Sequence, residues 1–175
     1  MVAPENPSQT TMISVRQAVQ QDIPTILTIQ ASVFQDAVWR EEDYRRMLDE
    51  PGSLMLVAQD HDSPEPVGYA TVRSSCGQAE LLHLAVKRAR QRSGVGRALL
   101  RETCRRLQQA GVSAVYLEVR TSNTAASSLY YSLGFTLVSV RKGYYSQPVE
   151  DASILSLSLG VEGLGGAART QPLPG

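Results

Sequence analysis

Cysteine is scarce in this chain, and its placement argues against cysteine chemistry. Cys76 and Cys104 are the only two among 175 residues. They stand in unrelated contexts, without metal-ligand spacing. We assign both to structure, as reduced thiols, and expect no metal. Excess positive charge is missing too, because 17 Lys and Arg balance 17 Asp and Glu. Non-specific nucleic-acid binding usually shows such an excess, so no DNA partner is expected and any anion site must be local. No apolar run is long enough to span a bilayer, and no signal-peptide pattern opens the chain. These absences describe a cytoplasmic protein with no membrane partner.

What is present suits one mixed domain. A hydrophobic content of 42% can fill one sizeable core, and there is no room for a second catalytic unit. Residues 1–11 are polar and Pro-containing, residues 160–175 are rich in Gly, Ala and Pro, and both are expected to be flexible tails around a domain at 12–159. No internal repeat is found. Within the domain, strand-like runs alternate with helix-like ones, which predicts an α/β (α+β) fold.

The spacing predicts a first strand at Ile13 to Ala18, then a helix capped by Asp22 with Ile23, Ile26, Leu27 and Ile29 on its periodic face. A polar helix follows at Glu41 to Leu48. Strands are predicted at Leu54 to Gln59, Val67 to Arg73 and Gln78 to Val86. Val95, Leu99, Leu100, Thr103 and Leu107 mark an amphipathic helix closed by Gly111. A strand at Ala114 to Val119 leads to a helix capped by Asn123 and ended by Gly134, and strands at Phe135 to Arg141 and Ala152 to Leu159 complete the set.

The most informative segment joins Leu84-Ala85-Val86 to Gln91-Arg92-Ser93-Gly94-Val95-Gly96-Arg97, a strand entering a helix through a short basic loop. Gly94 and Gly96 would let the backbone approach an anion, and the first helical N–H groups lie at the positive end of the dipole. That is the chemistry a pyrophosphate needs; a glycine-eased loop with a solvated basic rim is the plain alternative. The third glycine of a dinucleotide fingerprint and the G-K-[ST] of a Walker loop are both lacking.

This loop resembles the Q/R-x-x-G-x-G/A acetyl-CoA signature of the GNAT superfamily. The match narrows downstream, where Leu117-Glu118-Val119-Arg120, Ser122-Asn123, Leu129-Tyr130, Ser132-Leu133-Gly134-Phe135, Tyr144-Tyr145 and Glu150-Asp151-Ala152 recur in order. The ordered set is similar to the ribosomal-protein-alanine N-acetyltransferase (RimI) family. The resemblance implies a mostly antiparallel mixed sheet of about seven strands, helices on both faces, and fourth and fifth strands that splay apart. It also implies acetyl-CoA as co-substrate, its pantetheine on the backbone of Leu84, Ala85 and Val86 and its phosphates on Arg92, Ser93, Gly94, Val95, Gly96 and Arg97. Asn123, a helix cap on either reading, would also touch CoA.

Two residues carry the implied catalysis. Alternation puts Val115, Leu117 and Val119 on one face of their strand and Tyr116 and Glu118 on the other. A carboxylate in a central strand must be solvated, paired or functional; pairing with Arg120 is the plain reading, and general base is the one the resemblance implies. Tyr130 shares a helix face with Ala126 and Leu133, so it reads as a core aromatic, while the resemblance makes it the acid that protonates the departing thiolate. Phe34 and Trp39 on one side, and Tyr144 and Tyr145 after the sixth strand on the other, would wall the acceptor groove. Val38-Trp39 replaces the family's usual Pro-Trp pair, a departure that bears on acceptor specificity. His83, beside the implied acetyl site, is the rival base because histidine titrates near neutrality; a satisfied strand histidine is its ordinary reading.

The implied function is transfer of an acetyl group to a primary amine, chiefly the N-terminal α-amino group of a protein such as ribosomal protein S18. Rival readings are a small-molecule amine, a lysine side chain, or a non-catalytic acetyl-CoA-binding module. Monomer and homodimer are both compatible with the sequence.

Overall fold

The computed structural model describes residues 12–34, 39–61 and 63–160. The tails expected at 1–11 and beyond 160 lie outside them, as does Val38.

Seven strands form one sheet in the order β1-β2-β3-β4-β5-β7-β6. They are β1 (Ile13–Gln17), β2 (Ser53–Asp60), β3 (Pro66–Ser75), β4 (Gln78–Val86), β5 (Ala114–Arg120), β6 (Thr136–Ser146) and β7 (Val149–Ser158). All neighbours are antiparallel except β4 and β5. Four helices cover it: α1 (Ile23–Val33), α2 (Glu41–Asp49), α3 (Val95–Gln109) and α4 (Thr124–Ser132).

Each face of the sheet has its own core. Leu99, Leu100 and Leu107 of α3 and Tyr130 of α4 pack with Val115, Leu117 and Val119 of β5 and with Phe135. On the other face, Ile23, Ile26 and Ile29 of α1 and Tyr44 of α2 pack with Met55, Val57, Tyr69 and Ala85. Ile26, Ile29 and Tyr44 are wholly buried, and full burial of one isoleucine side chain contributes about 1.5–3 kcal/mol.

Two local expectations need correction. Asp22 makes no side-chain cap to α1. Its backbone is already helical, so the carboxylate turns back to accept from the Val19 N–H (2.8 Å) and from Arg16 (2.7 and 2.8 Å), tying β1 to the turn before α1. The sixth strand does not stop at Arg141. It runs through Tyr144 and Tyr145 after a register shift between Arg141 and Tyr145, because Asp151 accepts from the Gly143 N–H (2.9 Å) and Lys142 Nζ (2.7 Å) and holds the extra residues in place.

The decisive feature is where β4 and β5 part. Their parallel pairing covers only Gln78–Leu81 against Ala114–Leu117. Beyond that, β4 stays on β3 as far as Val86 against Gly68, while β5 stays on β7 as far as Arg120 against Ala152. A bulge at Leu82 marks the parting, since Thr71 pairs with His83 and Val72 with Leu81. The result is a slot in mid-sheet, with strand edges on both sides.

Candidate functional site

The slot opens into a cleft of about 880 Å³. Phe34 and Trp39 line one side, Tyr144 and Tyr145 the other, and Leu82, His83, Leu84, Glu118, Asn123 and Arg120 lie between them. Eight of the residues singled out from sequence therefore meet in one place: Phe34, Trp39, His83, Leu84, Glu118, Asn123, Tyr144 and Tyr145. Tyr130, Ala85 and Val86 do not line it, and neither does the segment Arg92 to Arg97.

Alternation along β5 explains the division. Val115, Leu117 and Val119 are buried under α3 and α4, so Glu118 points to the opposite face and into the cleft. Its side chain is 21% exposed, and Oε1 accepts from Arg141 Nη1 at 2.5 Å. Arg120, the partner suggested by sequence proximity, pairs with Glu150 (3.4 Å) and lies 4.0 Å from the centroid of the Tyr145 ring. Interaction with the Glu118 carboxylate, and then burial, raises the phenol pKa of Tyr144. Tyr145 is raised by burial first and by the same carboxylate second.

Tyr130 sits across the sheet from Glu118. It is buried, packs on Phe135 at 5.7 Å between ring centroids, and shares the core with Ala126 and Leu133. Burial, then the proximity of Tyr145, pushes its phenol well above the usual range. The hydroxyl therefore stays protonated near neutral pH. The carboxylate thus faces the cleft from one side of β5, and the phenol is buried in the core on the other side.

The loop after β4 has the features an anion needs. Gly94 adopts φ +90, a left-handed conformation that a β-branched residue resists, and caps α3 with no side-chain bond. The first intrahelical bond there is Ala98 N–H to Gly94 C=O (2.9 Å), so the N–H groups of Val95, Gly96 and Arg97 precede the helical ladder. Gly96 has a second duty: a Cβ there would meet Leu129 Cδ2 at 3.2 Å, so it lets α3 approach α4. Asn123 accepts from the Ala126 N–H (3.1 Å), the expected helix cap. On β4, the Val86 carbonyl is engaged by Gln91 Nε2 (3.2 Å).

His83 lies in an aromatic cluster, 4.6 Å from Trp39 and 5.5 Å from Phe34 between ring centroids. Its Nδ1 is buried without a hydrogen-bond partner, and burial lowers its pKa to about 4. Near neutral pH it is an uncharged ring and a weak base. The Cys104 thiol, pushed up to about 11 by burial, is equally unsuited to nucleophilic work. Among the described residues no group of three or more His, Cys, Asp or Glu could hold a metal ion, and no helix is long and apolar enough to cross a membrane.

Sequence reasoning missed the support behind these walls. Tyr44 hydroxyl donates to Gln30 Oε1 (2.6 Å) and meets Tyr69 hydroxyl at 2.9 Å, while Gln30 Nε2 donates to the Trp39 carbonyl (2.8 Å). This buried relay fixes the Trp39 wall. Glu150 accepts from the Ser122 N–H and Thr121 Oγ1, pinning the turn between β5 and α4. Arg141 was also missed, for it reaches Glu118 across an intervening strand.

Residues 23–135 match the acetyltransferase (GNAT) family. The chain belongs to that family. The family fixes the reaction class as acyl transfer, and its members use acetyl-CoA. Two curated relatives narrow the comparison. The ribosomal protein bS18-alanine N-acetyltransferase of Escherichia coli (strain K12) is 35% identical over 123 residues, which are 69% of this chain and 81% of that one. The N-alpha-acetyltransferase RimI of Mycobacterium tuberculosis is 33% identical over 150 residues, 83% of this chain and 92% of the relative. The crystal structure of the Escherichia coli ribosomal-protein-S18-alanine N-acetyltransferase superposes with a TM-score of 0.76 at 29% identity, covering 91% of this chain and all of that one. The seven-stranded, mostly antiparallel sheet with splayed β4 and β5 is thus the GNAT fold, and the RimI resemblance extends from motifs to most of the chain.

Proposed function

We propose that this protein acetylates the N-terminal α-amino group of a cytoplasmic protein, ribosomal protein S18 first among candidates, with acetyl-CoA as donor. The observation that carries the reading is the slot between β4 and β5, with Glu118 on one face and Tyr130 on the other. Acetyl-CoA supplies the activated thioester. The exposed edge of β4 from Leu84 to Val86 would pair with its amide arm as an added strand, and the segment from Arg92 to Arg97 would hold its phosphates. Both fit the residues present, because the N–H groups of the half-buried Gly96 and Arg97 precede the helical ladder beside the exposed Arg92.

An α-amino group has a pKa near 8, against about 10.4 for lysine, so a modest base suffices. Glu118 takes the proton of the acceptor ammonium, directly or through water, and the neutral amine attacks the thioester carbonyl. Tyr130, protonated near neutral pH as a phenol is, gives its proton to the leaving sulfur. Holding both partners in one cleft supplies much of the acceleration. Phe34, Trp39, Tyr144 and Tyr145 wall the acceptor site. Tyr144 on the rim is 48% exposed, which favours an extended peptide end over an enclosed small amine.

The test is acetyl-CoA consumption against a panel holding the first residues of the organism's own S18, the same peptide with its α-amino group blocked, and a lysine-only peptide. We expect turnover with the first alone. Equal rates on blocked and free peptides would remove the α-amino assignment.

A further inference from the structure

Glu118 does not face the cleft bare. Arg141 Nη1 holds its Oε1 at 2.5 Å, although Arg141 belongs to β6 and β7 lies between. The register shows how it reaches. Arg120, Ala152 and Arg141 form one row across β5, β7 and β6, and Glu118, Ile154 and Ser139 form the next row on the same face. Ala152, wholly buried, offers only a methyl group between the two arginines, so the Arg141 side chain can cross β7 to the carboxylate.

This arrangement conflicts with the proposed chemistry unless something moves. An acceptor arrives as an ammonium and needs the carboxylate that the guanidinium occupies. Two cations at hydrogen-bond distance from the same oxygens repel each other. We propose that Arg141 is a latch on Glu118 that the acceptor ammonium displaces, exchanging one cation for another. The inference rests on the reading of Glu118 as base.

The surroundings suit the exchange. The Arg141 side chain is 59% exposed, so it re-enters water at little cost. Its Cζ also lies 5.5 Å from the centroid of the Tyr144 ring, a second contact beside the ion pair. Exchange of cations leaves the charge of the cleft unchanged, whereas a neutral hydroxyl or water would have to strip the carboxylate of its partner. The latch thereby selects cationic acceptors.

The test compares wild type with Arg141→Gln, Arg141→Lys and Glu118→Gln, using the peptide that gives the highest turnover in the panel above. Peptide affinity for the CoA-bound enzyme is measured by calorimetry, and KM and kcat from acetyl-CoA consumption. Removing a competing exposed ion pair should tighten peptide binding by about two- to five-fold. KM should fall to match, without a fall in kcat, and Arg141→Lys should return the affinity to the wild-type value. Unchanged or weaker peptide binding in Arg141→Gln, or a lower kcat at saturating peptide, would overturn the latch and leave Arg141 as a support for Glu118. Glu118→Gln separates the two claims: full turnover there defeats the base reading itself, while slow turnover alongside unchanged affinity in Arg141→Gln defeats only the latch.

Discussion

At the scale of single residues, Tyr130 makes the clearest test of the chemistry. Its ring packs in the core beside Phe135 while its hydroxyl is held neutral by burial. Tyr130→Phe removes the proton donor and keeps the packing. Acetyl-CoA affinity should hold while turnover falls by about ten- to a thousand-fold, as measured by calorimetry and steady-state rates. Wild-type turnover would return the residue to a purely structural place. The faces on which Glu118 and Tyr130 lie were legible in short local patterns, alternation for the first and helical spacing for the second, whereas their proposed roles came from the family resemblance. Arg141, Gln30 and Tyr44 were not legible. Their partners lie 23, 9 and 25 positions away in the bonds to Glu118, Trp39 and Tyr69, and only strand register or helix packing reveals such pairs.

Among the elements, β4 does the most and was predicted with its observed ends, Gln78 and Val86. What its pattern could not give was the bulge at Leu82, which puts His83 into the aromatic cluster on the cleft face. That placement has a pH consequence. The folded pKa of His83, lowered from 6.5 to about 4 by burial, lies below its unfolded value, so the unfolded chain binds the proton more readily between those limits. The contribution to stability is complete above about pH 6.5 and is lost as the pH falls toward 4. Denaturant midpoints at pH 7 and pH 5 should show wild type losing about 1–2 kcal/mol more than His83→Gln over that interval. Equal losses in the two proteins would mean that the ring charges freely in the folded state. The end of β6 was misjudged for a related reason. The strand was expected to end at Arg141, yet Asp151 on the facing strand holds the irregular segment and carries Tyr144 and Tyr145 onward within β6.

Over the whole molecule, the alternation of elements was enough to imply an α/β domain, and the motifs were enough to imply the GNAT arrangement. The division into two cores was implicit in strand alternation: residues that pack under α3 and α4 are out of phase with those that face α1, α2 and the cleft. The wall around Trp39 needed long-range hydrogen bonds and could not be read in advance.

The short pairing of β4 with β5 also has a mechanical meaning. Gln78–Leu81 with Ala114–Leu117, and the adjoining bond from Ser113 N–H to the Gly77 carbonyl (2.8 Å), join the plate made of β1 to β4 with the plate made of β5 to β7, so the sheet is hinged at one end. A donor lying along Leu84 to Val86 would splint that hinge as well as deliver an acyl group. Amide hydrogen exchange should then slow on binding of CoA on both sides of the seam, at 82–86 and at 118–120, and the melting temperature should rise with ligand concentration. Protection confined to the loop at 92–97 would show that the plates are already rigid without it.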